Sequence, residues 1–238
     1  MTARPFHFKR FSLFHHQSTM KVGTDAILLG AWIPLKNVKT ALDIGTGCGI
    51  LGLMLSQRAV PELDAVELDE QSVAEAKYNF NSSQWRKQLQ VYCVDIRKFV
   101  HEFPNKRYDL IVSNPPFFVN SFKSVQQRKN QARHTDSLSF HELVSVAKKL
   151  LNPDGSFAVV LPFKESLYFI ETAEAIGLYV NARQLIVPVE GRPANRINLL
   201  FSLDPVAEIQ SENFIIRDIQ GDFTDQYKLA LKDFYLGL

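Results

Sequence analysis

A chain of 238 residues, 46% of them hydrophobic, is long enough for one large α/β domain and does not force a division into two. A formal net charge of +2 excludes any nucleic-acid argument from total charge and leaves only the placement of charges to carry one. Two cysteines, Cys48 and Cys93, are too few for a disulfide framework or a cysteine-built zinc site. No stretch reaches the roughly 20 apolar residues of a membrane helix, so the chain is expected to be a cytoplasmic monomer with no metal and no membrane partner.

Residues 1–38 hold five basic side chains (Arg4, Lys9, Arg10, Lys21, Lys36) against one acid, Asp25. Ala26 to Trp32 reads as a helix for which Thr24 or Asp25 is a good cap. From about residue 40, short apolar runs alternate with amphipathic stretches, the order of a mostly parallel sheet with helices on both faces. Strands are predicted at Thr40–Ile44, Leu63–Glu67, Leu89–Val94, Tyr108–Ser113, Ser156–Leu161, Tyr179–Val187 and Asn195–Leu203, seven in all. Helices fall between them at Ile50–Arg58, Gln71–Ser82, Ile96–Glu102, Ser139–Leu151 and Phe163–Ala175. Ser137 or Ser139 opens the fourth of these with Glu142 in reach, and Asn152-Pro153-Asp154-Gly155 follows it as a stop and turn. Only Pro188 to Ala194 separates the last two strands, too few residues for a crossover helix, so they form a hairpin and one strand of the sheet is antiparallel. The tail, 205–238, holds a further short strand (Asn213–Arg217) and a terminal helix (Thr224–Tyr235) after a core at 40–204, and the whole reads as one domain with residues 1–39 as an N-terminal extension.

The first predicted strand ends in Asp43-Ile44-Gly45-Thr46-Gly47-Cys48-Gly49 and opens a helix. Glycines at alternate positions let a ligand pack directly against the main chain near a helix N-terminus. The spacing is not G-x-G-x-x-G, which argues against a nicotinamide dinucleotide, and Asp43 would repel a pyrophosphate. Asp43 suits an amino-acid portion or its bound water. Twenty-four residues on, Glu67 stands at the next strand tip, followed by Leu68, where a carboxylate accepts from both hydroxyls of a ribose. Asp95 and Ile96 follow at the third tip, an acid for an adenine amino group and an apolar side chain for the ring.

The fourth strand runs into Asn114-Pro115-Pro116-Phe117. Two prolines fix an extended turn, so the carbonyl near Pro115 and the Asn114 side-chain oxygen both present acceptors to a pocket. Two acceptors suit a planar NH₂ group: taking hydrogen bonds from both protons favours a pyramidal nitrogen and aims its lone pair at a methyl donor, with no separate base needed beforehand. Phe117 offers a face for a flipped base. The motif does not separate adenine from cytosine, guanine or a glutamine amide. Arg128, Lys129 and Arg133, in a basic stretch without acids from 118 to 135, and Arg192 and Arg196 near the hairpin are candidates for RNA phosphates; ordinary solvated faces and surface pairing to acids are the alternatives.

With these motifs in this order, residues 40 to about 204 resemble the class I methyltransferases, whose Rossmann-like fold has a seven-stranded sheet with the last strand inserted antiparallel. More narrowly, Phe6 to Phe11, Met20-Lys21-Val22-Gly23-Thr24-Asp25 through Trp32, and Asp233-Phe234-Tyr235-Leu236 resemble the bacterial tRNA(Val) adenine-N6 methyltransferases. The resemblance implies S-adenosylmethionine as cofactor and the adenine 3′ of the anticodon in tRNA as target. It also implies that Lys21, Thr24 and Asp25 lie beside the cofactor with Asp43, Gly45, Gly47, Glu67, Leu68, Asp95, Ile96 and Asn114. Glutamine methylation of a protein of the release-factor type and guanine-N2 methylation of ribosomal RNA use related tetrapeptides and stand as alternatives.

Overall fold

The structure, a computed structural model, describes residues 4–18, 21–116 and 138–237. A small antiparallel pair, β1 (Phe6–His7) and β2 (Ser12–Leu13), precedes α1 (Thr24–Trp32). The alternating part follows as β3 (Thr40–Ile44), α2 (Ile50–Gln57), β4 (Glu62–Glu67), α3 (Glu70–Asn81), β5 (Leu89–Cys93), α4 (Ile96–Glu102) and β6 (Tyr108–Ser113). It continues through α5 (Phe140–Leu150), β7 (Leu151–Pro162), α6 (Phe163–Ile176), the hairpin β8 (Tyr179–Val189) and β9 (Arg196–Ser202), then β10 (Gln210–Arg217) and α7 (Asp225–Leu231).

The large sheet has the order β10-β8-β9-β7-β6-β3-β4-β5, with β9 antiparallel to both neighbours and the other pairs parallel. Strand alternation sends Ala41 to one face and Leu42 and Ile44 to the other. Helices α1, α2, α3 and α7 pack on the first face, α4, α5 and α6 on the second. The chain runs outward from β3 through β4 to β5 and returns to β6 on the other side of β3, so the point where α/β sheets bind ligands lies between β3 and β6.

Four expectations need correction. Among the described residues the sheet has eight strands, not seven: the tail strand begins at Gln210 and pairs in parallel along β8, covering main-chain groups that would otherwise form an open edge. Asn152 to Gly155 is not a turn but an outward bulge inside β7. Tyr108 pairs with Leu151 and Leu110 already with Ser156, and Asn152 donates to Asp109 (2.7 Å) to pin the bulge. Neither Thr24 nor Asp25 caps α1; Gly23 does so with no side-chain bond, because the Asp25 carboxylate is turned onto Arg196 (2.9 Å) at the start of β9. The terminal helix stops at Leu231, since Tyr235 leaves it to bridge Phe8, whose ring stacks on its own at 5.6 Å. Ser139 is the cap of α5, in a reciprocal box with Glu142.

Residues 14–18 form a strap lying along α3. Asn79, buried, accepts from the Phe14 amide (2.8 Å) and donates to the carbonyls of Phe14 and Cys48 (2.8 Å each), joining strap, helix and the glycine turn. Asn79→Ala leaves three main-chain groups without partners, the Cys48 carbonyl buried and the two of Phe14 half-buried, and is expected to lower stability by about 2–3 kcal/mol. Urea unfolding measures this; an unchanged midpoint would show that the strap contributes nothing to stability.

Candidate active site

Register brings the site together. Ile44 pairs with Val66 on one side and Ser113 on the other, so Gly45, Glu67 and Asn114 each stand one residue beyond the same row of the sheet. The Ser113 hydroxyl donates to the Ile44 carbonyl (2.9 Å), tying the tip of β6 to that of β3.

Gly45, Gly47 and Gly49 all have left-handed φ (72°, 55° and 87°), which the turn requires to swing from β3 into α2. Gly49 is the N-cap of α2, where a side chain would strike the Phe80 ring at 2.5 Å; at Gly45 nothing lies within 4 Å, which leaves bare main chain for a ligand. The Gly47 amide donates to Glu67 Oε2 (3.0 Å), while Glu67 Oε1 accepts from the amides of Leu68 (2.8 Å) and Asp69 (3.0 Å). Three amides fix this carboxylate at the strand tip with lone pairs to spare. It lines an open cleft with Leu68, Asp69, Glu70 and Gln71, and Leu68 presents an apolar side chain that is 52% exposed.

Asp43 is fully buried (0% exposed). Its Oδ2 accepts from the Thr46 hydroxyl (2.6 Å) and its Oδ1 has no partner. Burial pushes this carboxyl up to about 7; the Thr46 bond acts the other way, and the nearby Glu67 charge adds to the rise. An acid raised in the folded state contributes stability that is present below its unfolded value near 4 and lost as pH climbs through about 7, a loss on the order of 4 kcal/mol. The unliganded protein is therefore expected to lose melting temperature between pH 4 and 7 more steeply than Asp43→Asn. Parallel curves for the two proteins would remove Asp43 as the source. A ligand that brings positive charge relieves the same cost, so its affinity should rise with pH over that window.

The Asn114 side-chain oxygen is likewise buried without a partner; Pro115, next in the chain, is buried and Pro116 exposed. Two unpartnered acceptors at neighbouring strand tips, a bare glycine turn and a pinned carboxylate on the rim fit a ligand that brings hydrogen-bond donors, a sugar and positive charge.

Other sequence-derived candidates sit less freely. Asp95 caps α4 through the Arg97 amide and holds the Arg97 guanidinium on both oxygens, which keeps its carboxyl below the usual range; Arg97 continues to Glu142 of α5 (3.1 Å). Ile96 is buried in the second core layer. Lys21 and Thr24 are exposed, and α1 begins at the same sheet edge because Asp25 is bound to Arg196, whose partner across the sheet is Pro162 at the end of β7. That pairing is the alternative raised for Arg196; Arg192 is exposed on the hairpin turn. Phe117, Arg128, Lys129 and Arg133 lie outside the described residues.

The sequence reading missed the strap. Glu75, 5% exposed, accepts from the amides of His16 (2.7 Å), Gln17 (3.1 Å) and Ser18 (2.9 Å) and carries the strap over the glycine turn. The only signal is that Ser72, Glu75 and Asn79 recur at helical spacing beside the apolar Val73, Ala76 and Phe80, a pattern shared with any solvated helix face.

The methyltransferase small domain family matches residues 14–170. The tRNA1(Val) (adenine(37)-N6)-methyltransferase of Proteus mirabilis is 41% identical over 236 residues, covering 97% of this chain and 93% of its own. Those of Parabacteroides distasonis (37% identical, 97% of each chain covered) and Trichodesmium erythraeum (39% identical, 99% of each) carry the same name. Among solved structures, a predicted O-methyltransferase from Agrobacterium tumefaciens superposes with a TM-score of 0.65 at 15% identity over 88% of this chain and 96% of its own. A second, a putative RNA methyltransferase from Pyrococcus horikoshii, gives 0.55 at 17% over 79% and 87%, so both share the Rossmann-like methyltransferase fold. Similar from its N-terminal hairpin to its last helix, this chain belongs to the methyltransferase small domain family and, within it, to the family of the tRNA1(Val) (adenine(37)-N6)-methyltransferases.

Proposed function

We propose that this protein transfers a methyl group from S-adenosylmethionine to the exocyclic N6 of adenine 37 in tRNA1(Val). The observation that carries the reading is the buried, unpartnered Asn114 Oδ1 one residue beyond the strand row that also ends in Gly45 and Glu67. The family's near full-length relatives supply the target by name.

Bound S-adenosylmethionine supplies an electrophilic methyl on a sulfonium centre. Glu67 is the acceptor for its ribose hydroxyls, Asp43 the negative charge for its amino-acid end, and Gly45 and Gly47 the bare main chain between them, with Leu68 at the rim against the base. Lys21, Thr24 and Asp25 stand at the same edge and are assigned to the cofactor, as are Asp95 and Ile96. Asn114, with the carbonyl near Pro115, accepts the two N6 protons of the adenine, holding the amino group in place and its lone pair outward; Pro116 belongs to the same rigid turn, and Phe117 is assigned to stacking on the flipped base. Arg128, Lys129, Arg133 and Arg192 are assigned to RNA phosphates, and Arg196 to holding Asp25 in place at the cofactor edge.

The same reading takes residues 1–238 as one domain working as a cytoplasmic monomer, supported by β10 completing the sheet and α7 sharing the core of the first face. Among the described residues no helix is long and apolar enough to cross a membrane.

The test is transfer of labelled methyl to bulk tRNA followed by nucleoside analysis. N6-methyladenosine is the expected product. Label in a release factor and none in RNA would replace the reading with glutamine methylation, and labelled N2-methylguanosine would replace the target base.

A further inference from the structure

We propose that Ser18, on the strap, is a cofactor-contacting residue whose hydroxyl bonds the ribose, and that Glu75 is the positioning residue that puts it there; the inference rests on the cofactor reading above. Ser18 is only 7% exposed and its Oγ is buried with no hydrogen-bond partner. A buried hydroxyl left unpaired costs free energy that a ligand recovers by pairing it. Its location is fixed by Gly47: a side-chain carbon built there would stand 3.2 Å from Ser18 Oγ, so the hydroxyl lies directly over the residue whose amide holds Glu67.

The donor and acceptor inventory makes the pairing specific. Glu67 only accepts, so a sugar hydroxyl that gives it a proton keeps an oxygen in need of a donor. The nearby main-chain amides of Gly47, Leu68 and Asp69 are already spent on Glu67 itself. Among the described residues, Ser18 O–H is an uncommitted donor beside them. The side chain has no part in holding the strap, since Glu75 takes the Ser18 main-chain amide and those of His16 and Gln17. The hydroxyl is thus delivered to the site by a carboxylate that touches only backbone.

The experiment is calorimetric titration of the full-length protein with S-adenosylhomocysteine and with 5′-methylthioadenosine, which keeps the nucleoside and lacks the amino-acid end. Ser18→Ala is expected to raise Kd for both ligands about five- to tenfold, the size of one hydrogen bond to a buried neutral group, with no loss of melting temperature in the unliganded protein. Glu75→Ala should lower that melting temperature and raise Kd at least as far, and adding Ser18→Ala to it should weaken binding little further. Wild-type affinity in Ser18→Ala overturns the proposal. A loss for S-adenosylhomocysteine alone also overturns it, by moving the contact to the amino-acid end. Failure of the unsubstituted protein to bind either ligand would instead overturn the cofactor reading.

Discussion

Replacing Asn114 by alanine is expected to lower the rate of methyl transfer by about 10²- to 10³-fold, the range for removing one preorganised polar partner of a reacting group, while cofactor affinity stays within threefold. The expectation follows from position. The side-chain oxygen is buried and unpaired before substrate arrives, so its hydrogen-bonding capacity is available to the incoming amino group at no cost in displaced partners. Asn114→Asp keeps acceptors in place, adds a charge, and should fall between wild type and alanine. Single-turnover transfer to unmodified tRNA separates chemistry from product release. A rate within threefold of wild type would take Asn114 out of the reaction and leave the strand tip a structural turn.

The second large effect is expected at Glu67. Its carboxylate organises the Gly47, Leu68 and Asp69 amides and is the acceptor assigned to the ribose hydroxyls. Hydrogen bonds to a charged group contribute about 1.5–3 kcal/mol each, so Glu67→Ala should raise Kd for S-adenosylhomocysteine by about 100-fold or more. Glu67→Gln retains one acceptor oxygen and should lose roughly tenfold. Titration calorimetry reads both, and an alanine variant binding within twofold of wild type would show that the sugar is recognised elsewhere.

Much of this site was legible in the sequence because its residues sit where strand meets turn. Asp43 to Gly49, Glu67 and Asn114 each follow an apolar run whose end composition marks sharply, and parallel topology then places such ends on one edge. The partners within that edge were less visible. Nothing in the spacing of Asp95 tells that Arg97, two residues on, folds back onto it, or that Asp25 crosses 171 positions to meet Arg196. Asn152-Pro153-Asp154-Gly155 carries genuine turn chemistry, and only the neighbouring strand, with Asp109 to hold the excursion, turns it into a bulge. The tail strand is equally obscure, because Gln210 to Glu212 are polar and exposed, and what holds them is main-chain pairing with β8 together with hydrogen bonds that Ser211 accepts from Arg183 (3.0 Å) and Glu212 from Trp32 (2.9 Å) and Gln184 (2.8 Å), partners that no local spacing reveals.

The strap's anchoring has a consequence for how this sequence can drift. Glu75 and Asn79 grip residues 14–18 solely by their peptide groups, so the path over the site is written in the helix and not in the segment that follows it. Gln17 can exchange for almost any residue without moving the path, whereas a single change at position 75 or 79 would redirect it. Across relatives, variation should therefore be freer at Gln17 than at positions 75 and 79 of α3, with Ser18 constrained by what its hydroxyl bonds and His15 by the Val22 amide that its ring accepts from (3.1 Å).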